Sequence, residues 1–376
     1  MCGIAAVLRR RSEIAPPDGD ELLRALDAAL AALGGAAPER LGEAAGALET
    51  ANAALRGAAG VKALLRTPGL AEALSERVAE AGARVAAAEA DLDARHLPLG
   101  GAELEVANAV LVRLKDAVWA IRSDRLRAAA EIGALTGADL VDHDAAVEAF
   151  WSVQVALSAL ERLEVRGRDS AGLHLLVTGH GLDPSDPEIA ARMTDPLFRS
   201  MSVRVLPAGG AAASAGETAL AFVYKTAAEI GELGDNIRVL RTAITGDGLL
   251  HRALTAASAE VAVLGHTRWA SVGLISEANA HPLNDEEHGR LGPYVAASLN
   301  GDVDNHVELR AAEGLGVPVE ITTDAKVIPM LVSRRIAEGL DPAEAFRQTV
   351  ASFEGSVAIG ASAADAPGQL LLALRG

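Results

Sequence analysis

The chain has few aromatic residues, a single cysteine and no long apolar run. Aromatic residues make up 3% of its 376 residues although half of the residues are hydrophobic, so the core must be built from Ala, Leu, Val and Ile. One cysteine excludes a disulfide within the chain. Because no run of about 18 consecutive apolar residues occurs, we expect no membrane-spanning segment.

Positive charge is also scarce. Lys and Arg number 34 against 51 Asp and Glu, which gives a net charge of −17 and an isoelectric point near 5.0. A surface of this sign repels nucleic acid and anionic membranes, so we expect neither as a partner. The arginines at positions 9–11 follow the apolar N-terminal stretch, whereas a secretory signal carries its charges first. We therefore expect a cytoplasmic protein.

Residues 18–138 are rich in Ala, Leu, Glu and Arg, which favour helices. Apolar residues recur there at helical spacing, and Leu41, Leu48 and Leu55 lie seven residues apart, as in a coiled coil. Glycine and proline breaks near residues 34, 68 and 98–101 predict three or four helices in a hairpin or bundle. No chemical motif occurs in this segment, so we expect a packing or docking module.

The remaining sequence, residues 2–17 and 139–376, mixes strand and helix patterns and predicts an α+β domain interrupted by the helical segment after its first strand. Strands are predicted at residues 2–8, 173–178, 219–224, 261–265 and 295–299, with a final hairpin formed by residues 356–361 and 369–374. Helices are predicted at residues 144–164, 228–242, 324–337 and 342–351. Val155 is predicted to face inward on the first of these helices, and residues 179–215 are predicted to be rich in loops.

The single cysteine stands at position 2, where removal of Met1 makes it the first residue. A thiol with a pKa near 8.5 needs a base before it can act as a nucleophile. An N-terminal cysteine carries such a base, because its α-amine has a pKa of about 7.7–8.0 and can take the thiol proton. The alternative is that Cys2 is an incidental small apolar residue.

Five later segments concentrate polar residues beside predicted strand ends. They are Arg-Gly-Arg-Asp-Ser-Ala-Gly at 166–172, Gly-His-Thr-Arg-Trp-Ala-Ser at 265–271, Asn-Ala-His-Pro-Leu at 279–283, Ser-Leu-Asn-Gly-Asp at 298–302 and Thr-Thr-Asp at 322–324. Together with the N-terminal Met-Cys-Gly-Ile, and in this order, they resemble the glutaminase domain of glutamine–fructose-6-phosphate aminotransferases, which are class II glutamine amidotransferases. The resemblance covers residues 2–9 and 145–376 with gaps.

The resemblance implies an αββα sandwich of the N-terminal-nucleophile (Ntn) hydrolase class with a large all-helical insertion after the first strand. It implies that Cys2 attacks the side-chain amide of L-glutamine, while Asn300 and the Gly301 N–H form the oxyanion hole. Arg268 is implied to bind the α-carboxylate of glutamine, since its planar fork matches a carboxylate. Asp324 is implied to bind the α-ammonium.

Trp269, Ser271 and His281 are implied to line or brace the glutamine pocket, and residues 166–172 to pack beneath the first strand. Ordinary explanations also exist for several positions. Asn300-Gly301 is a tight-turn dipeptide, Asp324 is a candidate helix N-cap, Arg268 is a candidate for a surface ion pair, and His281 for a structural histidine.

Four residues depart from the family pattern. They leave the detailed substrate specificity and the transfer of ammonia to the acceptor undetermined, and they affect the prediction of glutamine hydrolysis less. Arg168 replaces a Tyr, Val272 and Leu299 each replace a His, and Lys326 replaces an acid. In the family, further strands and two isomerase domains follow the glutaminase segment. We therefore expect the domain to be incomplete at its C-terminal end, and the ammonia acceptor to bind on downstream isomerase domains or on a partner chain.

The motifs favour fructose 6-phosphate as the acceptor of the ammonia. Phosphoribosyl pyrophosphate, aspartyl-adenylate and 2-oxoglutarate are the alternatives within the same fold, and a non-catalytic regulatory or assembly module is the alternative outside catalysis. The sequence shows no metal-binding cluster and no phosphate-binding glycine loop, so we expect no cofactor and no metal. A homo-oligomer is also expected.

Overall fold

A computed structural model describes residues 2–34, 37–94, 100–196, 198–207, 217–227, 232–288, 290 and 292–376. It divides into two compact units. The first comprises Met1–Arg10 with Glu148–Gly376, and the second comprises Arg11–Val147. Among the described residues, no helix has both the length and the apolarity that crossing a bilayer requires.

The second unit is helical throughout its described secondary structure. Its helices are α1 (Gly19–Ala32), α2 (Pro38–Ala54), α3 (Gly57–Arg66), α4 (Leu70–Asp93), α5 (Gly101–Trp119) and α6 (Ala128–Thr136), and a π-helical stretch, Ala120–Arg127, joins the last two. The three leucines that lie seven residues apart are buried. Leu41, Leu48 and Leu55 are at most 2% exposed and belong to one core cluster.

The prediction of three or four helices in this segment is wrong. The sequence signal that was missed is Gly57, which begins α3 with a φ of 75° after the end of α2. A second glycine makes the sharp turn possible, because a Cβ at Gly60 would collide with the carbonyl oxygen of Leu55. Neither glycine stands beside a proline or a second glycine. The boundary between α2 and α3 was therefore harder to recognise in the sequence than the helix boundaries that were predicted.

The described residues of the first unit form two antiparallel sheets. Sheet A has the strand order β1-β5-β2-β4-β3. Its strands are β1 (Gly3–Leu8), β2 (Ser170–Thr178), β3 (Val203–Pro207), β4 (Thr218–Ala227) and β5 (Glu260–Arg268). Helix α7 (Asp144–Leu163) covers one face, where Leu160 and Leu163 lie close to Gly265 and Gly3. The shorter helices of this region are α8 (Pro187–Arg192), α9 (Asp235–Thr245) and α10 (Gly248–Ala253).

Sheet B has the strand order β6-β7-β8-β9. Its strands are β6 (Leu283–Asn284), β7 (Val295–Gly301), β8 (Val357–Ala363) and β9 (Leu371–Arg375). The helices that accompany it are α11 (His306–Glu313), α12 (Val327–Ala337) and α13 (Pro342–Ala351). An apolar core joins one face of sheet B to α12 and α13, and the other face meets sheet A where Gly360 approaches Ile4 and Leu264. The layers are therefore helix, sheet, sheet and helix.

Most of the predicted elements are present, with four differences. Val155 is 40% exposed, so its predicted inward orientation on α7 is wrong. Helix α8 and strand β3, which were not predicted, lie within the loop-rich stretch of residues 179–215. The helix predicted from residue 228 begins at Asp235, and residues 228–231 lie outside the described residues. Asn300 and Gly301 belong to strand β7 and pair with β8, so they do not form a turn.

Candidate active site

Cys2 lies immediately before β1, at the edge of sheet A. The register of β1 and β5 places Gly3 opposite Thr267, which brings Cys2 beside the end of β5. The Trp269 N–H donates to Cys2 Sγ at 3.3 Å, and Sγ lies 3.6 Å from the Trp269 carbonyl oxygen. The Cys2 main-chain nitrogen donates to Asn300 Oδ1 at 3.3 Å. The fold thus joins three segments that the sequence analysis selected separately.

The thiol of Cys2 is not activated by its surroundings alone. Burial raises its pKa, and the Trp269 N–H and the charge of Arg268 lower the pKa without cancelling that effect. A base is therefore needed near Sγ. The nearest candidate is the main-chain nitrogen of Cys2 itself, which becomes an amine when Met1 is removed.

Arg268 ends β5 and is 2% exposed. Its guanidinium donates to the Leu274 carbonyl oxygen at 3.0 Å and to the Val272 carbonyl oxygen, so it holds the loop of residues 269–276. Burial lowers its pKa, whereas the nearby charges of Cys2 and Asp324 raise it. Because Arg268 is buried and its described partners are backbone carbonyls, the ordinary alternative of a surface ion pair is wrong for the described residues.

Trp269 and Ser271 lie on this loop. The Trp269 side chain is exposed at 55%, and its backbone is the part that contacts Cys2. Ser271 is exposed as well, and its Oγ donates to Asp302 Oδ1 at 2.9 Å. Both residues therefore border the site from the loop, and their side chains do not touch Cys2 in the contacts described.

Asn300 and Gly301 end β7 beside Cys2. Gly301 has a φ of 127°, and a Cβ there would collide with the Ser356 carbonyl oxygen, so the position requires glycine. The predicted alternative of a hairpin turn is wrong, because both residues pair with β8. The strand pairing fixes the backbone of these two residues, and the Asn300 side chain reaches the Cys2 nitrogen.

His281 lies beneath the site, buried at 3% exposure. Its Nδ1 accepts from the Leu299 N–H at 3.3 Å, while His266 Nε2 lies 2.9 Å from the Leu299 carbonyl oxygen. The two rings are 4.5 Å apart, and burial lowers the pKa of His266 to about 3 and that of His281 well below its usual value. Both histidines are therefore neutral, and they brace β7 directly before Asn300.

Asp324 is buried, and its charge raises the pKa of Arg268. Its Oδ2 accepts from the Val303 N–H at 2.7 Å, and Thr323 Oγ1 donates to its Oδ1 at 3.1 Å. Burial raises its pKa. The side chain bonds the chain after β7 and does not cap the helical turn that it begins, so the helix-cap alternative is wrong.

Sequence reasoning assigned no role in the site to three residues that hold its segments together. Asp169 Oδ2 accepts from the Ala270 N–H at 2.8 Å. Asn279 Oδ1 accepts from the Thr322 and Thr323 N–H groups at 2.8 and 3.1 Å. Asp302, whose Oδ1 accepts from Ser271, follows Gly301 directly. All three lie within the polar segments, which was the available signal.

Residues 166–172 lie beside β5 and are separated from β1 by that strand, contrary to the expected place beneath the first strand. A Cβ at Gly167 would lie 2.7 Å from the Arg268 carbonyl carbon, so glycine permits the close approach.

Two of the residues that depart from the family pattern are buried in the first unit. Leu299 packs into the core of sheet B. Lys326 is buried as well, and its Nζ donates to the Asn284 carbonyl oxygen.

The geometry brings a thiol, a side-chain amide, a guanidinium and two carboxylates to one end of the two sheets. Within the part of the chain that the structure describes, no group of three His, Cys, Asp or Glu residues is placed to hold a metal ion. The set suits nucleophilic attack on a small molecule that carries both a negative and a positive group.

Comparison with curated proteins finds relatives named glutamine–fructose-6-phosphate aminotransferase. The chain is 40% identical over 97 residues to the glutamine–fructose-6-phosphate aminotransferase of Sulfurisphaera tokodaii, and this match covers 26% of the chain and 16% of the relative. It is 29% identical over 222 residues to the enzyme of that name from Chlamydia pneumoniae, covering 59% of the chain and 26% of the relative. The matches therefore span about a sixth to a quarter of the relatives' length.

The other comparisons are weaker. No family model matches the chain. A solved structure of the glutamine phosphoribosylpyrophosphate amidotransferase from B. subtilis is 15% identical, with a TM-score of 0.28, and covers 54% of the chain and 37% of that protein. A score this low does not define the fold. The curated relatives confirm the resemblance that the motifs indicated, and they are named as enzymes.

Proposed function

We propose that this relative of glutamine–fructose-6-phosphate aminotransferases is a glutamine amidotransferase domain, which releases ammonia from L-glutamine through a thioester on Cys2. One observation carries the proposal. The only cysteine of the chain lies against the backbone of Trp269, directly after Arg268, and its nitrogen contacts the Asn300 side chain. A thiol, a side-chain amide and a guanidinium are thus neighbours, which supports the roles of nucleophile, oxyanion donor and carboxylate-binding cation that we propose for them.

Chemistry begins after Met1 is removed. The α-amine of Cys2 takes the proton of Sγ, and Sγ attacks the carbonyl carbon of the glutamine side-chain amide. The oxygen becomes negative and accepts hydrogen bonds from the Asn300 amide and the Gly301 N–H, which stabilise it by about 3–4 kcal/mol per donor at comparable sites. The amine returns its proton to the leaving nitrogen, ammonia departs, and water then hydrolyses the γ-glutamyl thioester to glutamate.

Substrate recognition uses the two charged ends of glutamine. Arg268 binds the α-carboxylate, and Asp324 binds the α-ammonium. Arg268 donates to the carbonyl oxygens of Val272 and Leu274, so glutamine must replace these partners when it binds. Trp269 and Ser271 lie on the loop that moves with this exchange. His281 acts through β7 by keeping Asn300 in place.

The architecture supports the wider assignment. The order helix, sheet, sheet, helix in the first unit agrees with the αββα sandwich of Ntn hydrolases. The helical unit agrees with an insertion after the first strand, and we propose residues 18–138 as that insertion within a domain formed by residues 2–17 and 139–376.

The ammonia acceptor is proposed from the relatives' printed name. It is fructose 6-phosphate, bound on isomerase domains further along the chain or on a partner chain, and the assembly is a homo-oligomer. The matches cover only about a sixth to a quarter of the relatives, so this part of the proposal rests on the name and on the motifs.

The test is glutamate release by protein whose Met1 has been removed, verified by intact mass. Cys2→Ala should abolish release, because alanine has no nucleophile, and its small side chain allows the same removal of Met1. Cys2→Ser is the matched control, since it keeps a weaker nucleophile and the site geometry, and should retain a trace of activity. Undiminished release by Cys2→Ala would show that another residue is the nucleophile.

A further inference from the structure

A buried lysine on β4 makes no side-chain hydrogen bond within the part of the chain that the structure describes. Lys225 is 2% exposed, and its Nζ is without a partner there. Burying an ammonium in this way is costly, because the group loses its hydration and gains no acceptor in return. Buried polar groups almost always have a partner, so the surroundings of Lys225 require an explanation.

Lys225 belongs to a row of residues that crosses sheet A. The strand register places it opposite Gly172 on β2, and Gly172 opposite His266 on β5. Directly paired residues have Cβ positions about 5 Å apart and point to the same face of the sheet. The His266 ring lies 4.5 Å from that of His281, and its Nε2 lies 2.9 Å from the Leu299 carbonyl oxygen on β7. This face, with Lys225 on it, is therefore the one that meets sheet B.

His281 lies directly against this row. A Cβ at Gly172 would be 2.4 Å from the His281 carbonyl oxygen, so the glycine admits His281 beside the β2 neighbour of Lys225. Nδ1 of His281 accepts from the Leu299 N–H at 3.3 Å, so the proton of this neutral ring is on Nε2. That buried Nε2 has no hydrogen-bond partner among the described residues. Burial, followed by neighbouring charges that include Lys225, lowers the pKa of His281.

Ser170 adds a third buried group of this kind. It precedes Gly172 by two residues on β2, so its side chain points to the same face and is diagonal to Lys225. Diagonal neighbours are about 7–8 Å apart, which a long side chain can span. Ser170 is fully buried, and its Oγ also lacks a partner in the described structure. An ammonium, an imidazole N–H and a hydroxyl thus occupy one region between the sheets, and each can donate a hydrogen bond.

Two cations face Lys225 from other elements. Burial, followed by the charge of Lys326 and with a smaller effect of Arg268, lowers the pKa of Lys225 to about 7. Lys326 has its own acceptor, the Asn284 carbonyl oxygen, and the charge of Asp285 opposes the lowering of its pKa by burial. Because Lys326 replaces an acid of the family pattern, this position contributes a like charge where an acid would contribute an opposite one.

Two carboxylates act on Lys225 in the opposite direction, and both have other partners. The charges of Glu277 and Glu286 raise the pKa of Lys225. Glu277 accepts from the Ser200 N–H at 3.5 Å, and Glu286 forms an ion pair with Arg204 at 2.9 Å. Neither one is a hydrogen-bond partner of Lys225. The region therefore has three donors and a cation without a contacting counter-charge.

We propose that Lys225 is the centre of a binding site for a small monovalent inorganic anion, of which chloride is the type, with the Nε2–H of His281 and the hydroxyl of Ser170 as further donors. An anion only accepts hydrogen bonds, so it suits three donors at once. Its single charge offsets one ammonium, and its small size suits a place between packed strands. The site contains none of the residues of the proposed reaction's first steps, and the inference goes beyond the proposed function.

Anion binding should depend on the protonation of Lys225. The ammonium attracts the anion and the neutral amine does not, so the apparent affinity should fall about tenfold per pH unit above the pKa of about 7. The neighbouring histidines do not contribute to this dependence. Burial lowers the pKa of His281 well below its usual value, and it lowers that of His174, on the same face of β2, to about 3.

The first test follows amide hydrogen exchange of β2 and β4 by mass spectrometry at pH 6, with sodium chloride replacing sodium gluconate at constant ionic strength. Opening of these strands releases the anion, so exchange in the wild type should slow about tenfold for each tenfold rise in chloride above its dissociation constant. Lys225→Met should lose this response. Lys115→Met is the matched control, since Lys115 pairs with Glu89 on the surface, and should keep it. At pH 8 the wild type should need about tenfold more chloride for the same slowing.

The second test locates the ion. Bromide has the charge of chloride and scatters anomalously, so crystals of the wild type grown in sodium bromide should show an anomalous peak within hydrogen-bonding distance of Lys225 Nζ and His281 Nε2. Crystals of Lys225→Met should show none at this place.

Three results would overturn the proposal. They are a water molecule at this place in the wild-type bromide crystals, a peak that persists in Lys225→Met and so marks an adventitious ion only, and a chloride response that is equal in the wild type and Lys225→Met. Glutamate release is the readout of none of these experiments, so their failure leaves the proposed function as it stands.

Discussion

Cys2 contacts residues that are 267 and 298 positions further along the chain, and these contacts define its surroundings. Thiol chemistry predicted the need for a base, and the resemblance of the motifs implied which residues serve as oxyanion donors and as the carboxylate-binding cation. They did not predict the contacts of Asp169 and Asp302, whose partners are 101 and 31 residues away. Sequence spacing carries no information on such distances until the strand register is known.

Substitution of Asn300 tests the role of a single residue in the proposed reaction. Asn300→Ala removes one donor from the proposed oxyanion hole, so kcat for glutamate release should fall about 10²–10³-fold with little change in KM. The measurement is steady-state kinetics with glutamine. Alkylation of Cys2 by iodoacetamide is the control and should persist, because it requires no oxyanion. A loss confined to KM would assign Asn300 to substrate binding instead.

The strands of the two sheets position the site residues, and most of these strands could be predicted from the sequence. The apolar runs in β2, β4 and β5 predict buried strands, and pairing in sheet A confirms them. Strand β3 was missed because its five residues lie in a stretch rich in proline and glycine. The ordinary alternative of a turn at Asn300-Gly301 is wrong, since tertiary pairing with β8 overrides the local preference of that dipeptide.

Strand β4 carries a buried cation whose effect on stability depends on pH. Lys225 is 2% exposed, and its Nζ has no hydrogen-bond partner among the described residues. Burial, followed by the charge of Lys326, lowers its pKa from 10.5 to about 7. The unfolded chain therefore binds a proton between pH 7 and 10.5 that the folded chain does not, so this group makes stability rise with pH across that window.

Lys225→Met should remove this dependence and keep the volume of the stem. At pH 6 the variant should be more stable than the wild type by about 1–4 kcal/mol, and the difference should shrink toward pH 10. Urea denaturation at pH 6, 8 and 10 measures both quantities. Lys115→Met is the control, because this exposed partner of Glu89 should contribute no more than about 1 kcal/mol. A variant less stable than the wild type at pH 6 would refute the expectation.

At the scale of the whole molecule, the chain consists of two units that each have their own core. Composition predicted the helical unit, since residues with high helix propensity fill it and its leucine stripes are buried. The sequence did not predict the extra helix boundary at Gly57 or the π-helical stretch, because both depend on local backbone geometry that apolar spacing does not report.

Substitution of Leu114 tests whether glutamate release depends on the stability of the helical unit. It is fully buried in α5, so Leu114→Ala should reduce the free energy of unfolding of this unit by about 2–5 kcal/mol. Glutamate release by the folded protein at low temperature should not change, because the proposed site residues lie in the other unit. Val112→Ala on the same helix, where Val112 is 54% exposed, is the matched control and should cost about 0.5 kcal/mol or less.

Equal destabilisation by both substitutions, followed in chemical denaturation, would show that the burial pattern of α5 is wrong. A loss of glutamate release by folded Leu114→Ala at low temperature would show that the helical unit contributes to the reaction.

The most direct test of the central claim is covalent labelling of the nucleophile. Protein with Met1 removed is incubated with a diazoketone analogue of glutamine, and the modified peptide is located by mass spectrometry. A single adduct on Cys2 is expected, and L-glutamine should slow its formation. Unmodified Cys2 in folded, processed protein, or an adduct on another residue, would contradict the claim that this chain attacks glutamine through its N-terminal cysteine.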